Sequence, residues 1–450
     1  MKKQKILGAM SALILGVLGV LSHTEAMQRS PEEREDHVED RLQHVVVLAD
    51  VEMLSASYFE NYHGPLSVTF APGSRLREIK VHTFAGSDLY SIVIPASVQI
   101  LEKDCFAGCS STFSVTFAPG SQLREIGADT FAGSFLRSIV IPASVEGLGE
   151  GCFANCRSLA RVDFEDSSQL RTIGKNAFYL AICLQSIVIP TNLETLGIDC
   201  FQRCRRLSIV SFKGNHSLRE IGEGAFCYSD LWSITLPASV AVLKQHCFSN
   251  CTHLSSVTFE DGSQFRTIGW HAFCCSRLQH VEIPASVVVL GNSCFAKCSS
   301  LVSVIFAKDS RLVRVGACAF SDCSALDILA IPESVQELGG SCFEGCSSLF
   351  SVVFEGDSHL ARIEAFSFGD CSALETITIP ASVQVLGERC FRNCLALRSV
   401  FFAEDSQIVR IRENVFDRSP LVQDLCLPDR GERYSAARLN QGWTRDTPPA

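Results

Sequence analysis

The chain has 450 residues, 47% hydrophobic and 20% charged, so it can bury a large core and lies outside the composition of disordered proteins. Its net charge of -10 and pI near 5.6 argue against a nucleic-acid partner, because neutralising phosphates needs a basic face. Length alone suggests about three domains of ~150 residues, a prior that gives way where one short unit repeats along the chain.

Lys2, Lys3 and Lys5 precede an apolar run from Ile6 to Leu21 and a small-residue exit, Thr24-Glu25-Ala26. This pattern predicts a cleaved export signal over residues 1–26, since about 16 apolar residues fall short of the ~20 that span a membrane. The polar stretch from Gln28 to Arg41, containing PEEREDHVEDR, reads as a solvated leader and N-terminal cap over 27–43. No later stretch approaches transmembrane length, so no membrane span is expected in the mature chain.

From His44 onward the chain is periodic. Ile-Pro or Leu-Pro dipeptides place Pro95, Pro142, Pro190, Pro237, Pro284, Pro332, Pro380 and Pro428 at intervals of 47 or 48 residues. Between them runs a second series, Phe70, Phe117, Phe164, Phe212, Phe259, Phe306, Phe354 and Phe402. The unit is therefore 23–24 residues in two alternating flavours, SIxIPxSVxxLGxxCFxxCxxL and SVxFxxxSxLRxIGxxAFxxCxxL. Residues 44–63 align to the first, with Leu48 at the proline position and Tyr58 and Tyr62 at the cysteine positions. Seventeen units are expected over 44–428, the last, from Leu425, degenerate and polar, followed by a polar cap or tail over 429–450.

Ser-Ile-x-Ile and Ser-Val-x-Phe alternate and are rich in β-branched residues, so each reads as a short strand with one buried face. Proline ends the first kind of strand because it has no amide hydrogen to continue pairing. Val98, Leu101 and Phe106 then follow at helix-like or turn-like spacing, and Gly127, Gly149 and Gly174 let the chain turn. No unit can bury its apolar face alone, so neighbours must stack. The expected fold is an α/β solenoid of about seventeen units, with a parallel β-sheet on one face and short helical turns on the other.

The consensus LxSIxIPxSVxxLGxxxFxxCxxL resembles the leucine-rich repeat of the BspA-like family, found on secreted and surface proteins of bacteria and some protists. The resemblance spans residues 44 to about 428. It implies a leucine-rich repeat solenoid and, since members are mostly adhesins or presumed binders of host and matrix proteins, a protein ligand. It implies no catalytic residue, and no cofactor is expected. The chain departs from the family at Cys105, Cys152, Cys200, Cys247, Cys294, Cys342 and Cys390, where alanine is common.

Those cysteines open CFxxC. Cys109, Cys156, Cys204, Cys251, Cys298, Cys346 and Cys394 close it, and Cys323 and Cys371 extend the closing series through five consecutive units. Three readings stand side by side. Buried free cysteine is common in cores, which suits a ladder position. Disulfides between stacked neighbours fit the ~5 Å spacing, but would pair units and break a uniform stack. A closed zinc site needs four ligands, whereas successive CxxxC copies fall ~9.5 Å apart. Burial is the favoured reading, with metal expected nowhere, although an exported protein ordinarily pairs its cysteines.

Arg77, Arg124, Arg171, Arg219 and Arg266 recur in LRxI, and the register shifts by one at Arg314, Arg362 and Arg410. Acids in the preceding loops, among them Glu165, Asp166, Glu260 and Asp261, point to a self-neutralised ladder rather than a basic grip. A binding surface is sought at the outward position of each strand. Thr69, Thr116, Asp163, Ser211 and Thr258 are small or polar there, whereas Ile305, Ala330, Val353 and Phe401 are apolar, with Thr378 among them. HExxH, GxSxG and the phosphate loop are absent, which argues against an enzyme. Asn215-His216-Ser217 and Asn250-Cys251-Thr252 fit the glycosylation pattern.

Two functions follow: an exported, secreted or cell-surface adhesin-like module that grips a host or matrix protein, and an effector or scaffold delivered into another cell.

Overall fold

A computed structural model describes residues 43–109, 113–214, 216–422, 424–426 and 433–444. The expected export signal and most of the leader lie outside the described residues, as does Asn215. The description concerns the repeat-bearing unit from His44 onward.

Each turn of the solenoid contributes one long strand and one short strand. Sixteen long strands run from Gln43–Val47 to Ser399–Phe402, and sixteen two-residue strands from Met53–Leu54 to Arg410–Ile411. The short strands form one continuous parallel ladder, each pairing with the short strand of the turn before and the turn after. The long strands form three parallel sheets, with ladder breaks after Ser114–Phe117 and after Ile209–Phe212.

Proline shapes the long-strand register as well as ending strands. Ser138–Ile141 pairs along all four residues with Arg161–Phe164, whereas Arg161–Phe164 meets Ser186–Ile189 only at Arg161↔Ser186. On the first side, the N–H after the phenylalanine reaches back to the preceding strand, as Glu165 N–H donates to Ile141 C=O at 3.0 Å. On the other side the equivalent residue is Pro190, which has no N–H to give. Strands consequently come in tight pairs that splay from the next pair.

The expected helical turns are replaced by a third hydrogen-bonded edge. In the CFAGC turn, Asp104, Phe106 and Gly108 donate to Ala128, Thr130 and Ala132 of the next turn at 3.1, 2.8 and 2.8 Å. The alternate amides, Cys105, Ala107 and Cys109, close i→i−3 turns on Glu102, Asp104 and Phe106. An α-helix needs i→i−4 bonds and has no amides left for a neighbour. The alternation is possible because the second residue on each side of the phenylalanine is left-handed: Asp104 (φ 55°) and Gly108 (φ 65°) flank Phe106, and His246 (φ 58°) and Asn250 (φ 58°) flank Phe248. Gly, Asn, Asp and His accept that region most readily.

The core is a column. Sixteen phenylalanines, Phe59 to Phe416, stack with centroids 5.0–5.9 Å apart and ring planes within 15°. Since 5 Å exceeds face-to-face contact, the rings are offset, the arrangement their quadrupoles favour. Inward strand residues such as Ile139, Ile141 and Val162, with the ladder leucines, close around the column.

The seventeenth unit does not form a turn. Asp424–Cys426 pairs antiparallel with Arg433–Ser435, and a single helical turn, Ala436–Leu439, leads to Trp443–Thr444, which pairs antiparallel with the last short strand. Sixteen turns and this cap therefore replace the seventeen expected units.

Candidate interaction face

The strands from His280–Ile283 to Ser399–Phe402 belong to the largest of the three sheets. Strand alternation turns their second residues inward, burying Val304, Leu329, Val352, Ile377 and Val400, and their third residues outward. The register aligns Glu282↔Ile305, Ala330↔Val353 and Thr378↔Phe401. The pairs Val304↔Leu329 and Val352↔Ile377 bring Ile305 beside Ala330 and Val353 beside Thr378. Ile305, Ala330, Val353, Thr378 and Phe401 thus form one row across five adjacent strands, with Ile305, Val353 and Phe401 at 55%, 50% and 55% exposure.

The contrast expected between a polar early sheet and an apolar late one is weaker in the structure. Val93, Val140 and Val188 occupy the same outward row and are about half exposed, alternating with Thr116, Asp163 and Ser211. Sequence reasoning missed them because its early positions come from one flavour of repeat and its late ones from both. Tyr90 is exposed beside Val93 in the early region, but in the late region Val302, Ile328 and Phe350 are exposed beside Ile305 and Val353 across three adjacent strands, widening the row to a patch. Their signal was legible two or three residues ahead of the outward position, at and just before the start of each strand. Trp232, the most exposed large apolar side chain among the described residues, and Ile209 stand further toward the N-terminus.

The patch has a polar margin. His280 Nδ1 and Ser303 Oγ are 2.8 Å apart, and Asp327 Oδ1 accepts the Ile328 N–H at 2.6 Å. A half-exposed apolar centre with hydrogen-bonded polar groups around it is the layout of a protein contact. Among the described residues, no group of three or more His, Cys, Asp or Glu is placed to hold a metal ion.

Overlapping segments, residues 39–160, 77–208, 171–302, 219–347 and 291–423, match the model of the BspA type leucine rich repeat region. The chain belongs to that family. A BspA-type chain of this length is also similar to a leucine-rich repeat protein from Bacteroides ovatus, at 25% identity and TM-score 0.59 over 78% of this chain and 82% of that one. It is similar at 22% identity and TM-score 0.38 to a leucine rich cell surface protein from Faecalibacterium prausnitzii, over 81% and 89% of the two chains. No curated protein matches.

In this BspA-type solenoid the sixteen cysteines of the expected ladder, from Cys105 to Cys394, are all buried, and the twenty-one cysteines whose side chains are described are free thiols. The closing cysteines also serve as hydrogen-bond donors. Cys109, Cys156, Cys251 and Cys346 donate Sγ–H to the main-chain carbonyls of Phe84, Phe131, Phe226 and Phe320 at 2.9–3.3 Å. Where serine replaces cysteine, as at Ser87, the hydroxyl bonds a phenylalanine carbonyl too. Burial pushes the Cys109, Cys156, Cys251, Cys298, Cys346 and Cys394 thiols up to about 12.

The arginines pair with other acids than those the loops suggested. Arg171 meets Glu194 at 3.3 Å and Arg314 meets Glu337 at 3.4 Å, both across neighbouring turns. Glu165 and Glu260 instead accept the N–H groups of Ala143 and Ala238, and Asp166 pairs with Lys213. Asn250 is half-buried beside buried Cys251, its amide donating to Ser249 Oγ. Among the described residues no helix is long and apolar enough to cross a membrane.

Proposed function

We propose that the chain is an exported, non-catalytic binding module, adhesin-like, that engages a host or matrix protein through the patch formed by Ile305, Ala330, Val353, Thr378 and Phe401. The observation that carries this reading is the cluster of exposed apolar side chains Val302, Ile305, Ile328, Phe350 and Val353 on or beside three adjacent strands, with Phe401 two strands further on. Contiguous apolar surface with a polar rim is what a soluble protein gives to a partner. The membership in a leucine-rich repeat family supports an interaction role, and the expected export signal over residues 1–26 supports a surface or secreted location.

The test is binding to a panel of purified matrix and cell-surface proteins by the wild type and by a triple variant, Ile305→Ser, Val353→Ser and Phe401→Ser. Loss of binding with an unchanged melting transition is expected, since exposed substitutions ordinarily stay within about 0.5 kcal/mol. Unchanged binding overturns the assignment of the face.

A second reading, delivery into another cell as an effector or scaffold, is favoured by the free thiols, which suit a reducing compartment. Thiol titration of protein recovered through its own export route separates the two. All 22 thiols appearing after denaturation favour delivery, and few favour an oxidised extracellular protein.

A further inference from the structure

Two cysteines stand outside every ladder position and beside one another. The turn around Phe273 reads AFCCS, so Cys274 and Cys275 follow the stacked ring where the CFAGC turn carries alanine and glycine. Both are half-buried and their sulfurs lie 3.6 Å apart. The backbone beneath them is fixed: Cys274 N–H donates to His271 C=O at 3.1 Å, and Cys275, left-handed at φ 59°, donates to Ala296 C=O at 2.9 Å. Burial pushes the Cys274 thiol up to about 12, the neighbouring Cys275 adds to that, and the Lys297 ammonium pulls the other way.

Neighbouring residues joined by a trans peptide have Cα atoms ~3.8 Å apart, whereas a disulfide needs roughly 4.4–6.8 Å. A direct bond between these sulfurs is therefore strained, and the pair rests as a dithiol. A larger bridging atom can span the gap without closing it.

We propose that Cys274 and Cys275 form a bidentate site for a soft thiophilic centre, with trivalent arsenic as the type case. With an organoarsine oxide, two As–S bonds form, both S–H bonds break, and the two protons leave with the oxide oxygen as water. Arsenic keeps its oxidation state and no other reactant is needed. Soft thiolate pairs select such centres over hard cations. The second As–S bond closes intramolecularly, so the chelate outlasts adducts at the other half-buried thiols, Cys183 and Cys318.

The test uses the full folded chain, reduced, with phenylarsine oxide, read by intact mass. One adduct per chain should survive excess 2-mercaptoethanol and leave on addition of 2,3-dimercaptopropanol. Retention should fall by ~10²-fold in Cys274→Ser and in Cys275→Ser. No retained adduct on the wild type, or equal retention by the double variant, overturns the site. Alkylation of arsenic-treated wild type gives a readout free of any folding defect: Cys274 and Cys275 should be protected relative to Cys183 and Cys318, and equal alkylation overturns the proposal.

Discussion

The side-chain carbonyl of Asn440 accepts the backbone N–H of Phe416 at 2.8 Å, and the main-chain carbonyl of the same residue accepts the N–H of Asn414 at 2.8 Å. In the inner turns the equivalent donors reach the next turn. Asn440 supplies both acceptors at the end of the stack, one from its backbone and one from its side chain. Replacing Asn440 with alanine should leave the buried Phe416 amide unpaired and cost about 1–3 kcal/mol, fraying the final turn first. Hydrogen exchange at Phe416 checks this, and unchanged protection there would refute it.

Phe248 is sandwiched between Phe226 and Phe273 at 5.3 and 5.2 Å, with no exposed surface. Phe248→Ala should destabilise by about 3–5 kcal/mol in denaturant unfolding, because the column cannot collapse around one missing ring. Phe401→Ala, on the outer face, should change stability by less than about 0.5 kcal/mol. Similar losses at the two positions would contradict the placement of Phe248 in the core and Phe401 on the surface.

Leu180 and Phe366 are left-handed, at φ 59° and 58°, in rows where many of the other turns carry Asn, Asp or Gly. A bulky side chain there costs about 1–2 kcal/mol. Leu180→Asn should therefore raise stability by about 1 kcal/mol, measured as a higher denaturation midpoint. A lowered midpoint would mean that the leucine's packing outweighs its backbone strain.

Alkaline conditions should weaken the fold through the closing cysteines. Six of them are held near 12 from an ordinary value of 9.0. Below pH 9 folded and unfolded chains both hold these protons, so the stabilisation is fully present there. As pH rises above 9 the unfolded chain releases them and the folded chain keeps them, so stability falls, by about 1.4 kcal/mol per pH unit for each thiol. Denaturation midpoints from pH 7 to 11 should be flat and then drop. Cys346→Ala with Cys394→Ala removes two such thiols and should make the fall shallower by roughly 3 kcal/mol per pH unit; an unchanged slope would sink the account.

The strands and their ends were legible because period-two alternation and a missing amide act locally, at Ile139-Val140-Ile141-Pro142 as elsewhere. The CFxxC turns were not, because i,i+4 spacing on one face is produced equally by an α-helix and by alternating left- and right-handed residues. The Asp, Asn, His and Gly that recur two residues before or after many of the stacked phenylalanines were the overlooked sign. The cap could not be read from spacing either, since Asn440 acts by imitating a turn that the repeat no longer supplies. Of the candidate face, the row from Ile305 to Phe401 was visible, while the sheet register, pairing Ile328 with Ser303 and Ser351, is what sets Ile328 beside that row.

The proline that ends every second long strand beyond the first turn constrains how such a chain can lengthen or shorten through gene duplication. Removing a doublet of 47 or 48 residues leaves an edge with amides meeting an edge with carbonyls, as before. Removing a single phenylalanine-ended unit would bring two proline-bearing strands together, whereas removing a single proline-ended unit would join two strands that both keep their donors. Loss of a phenylalanine-ended unit is therefore expected to be tolerated less well than loss of a proline-ended one or of a whole doublet.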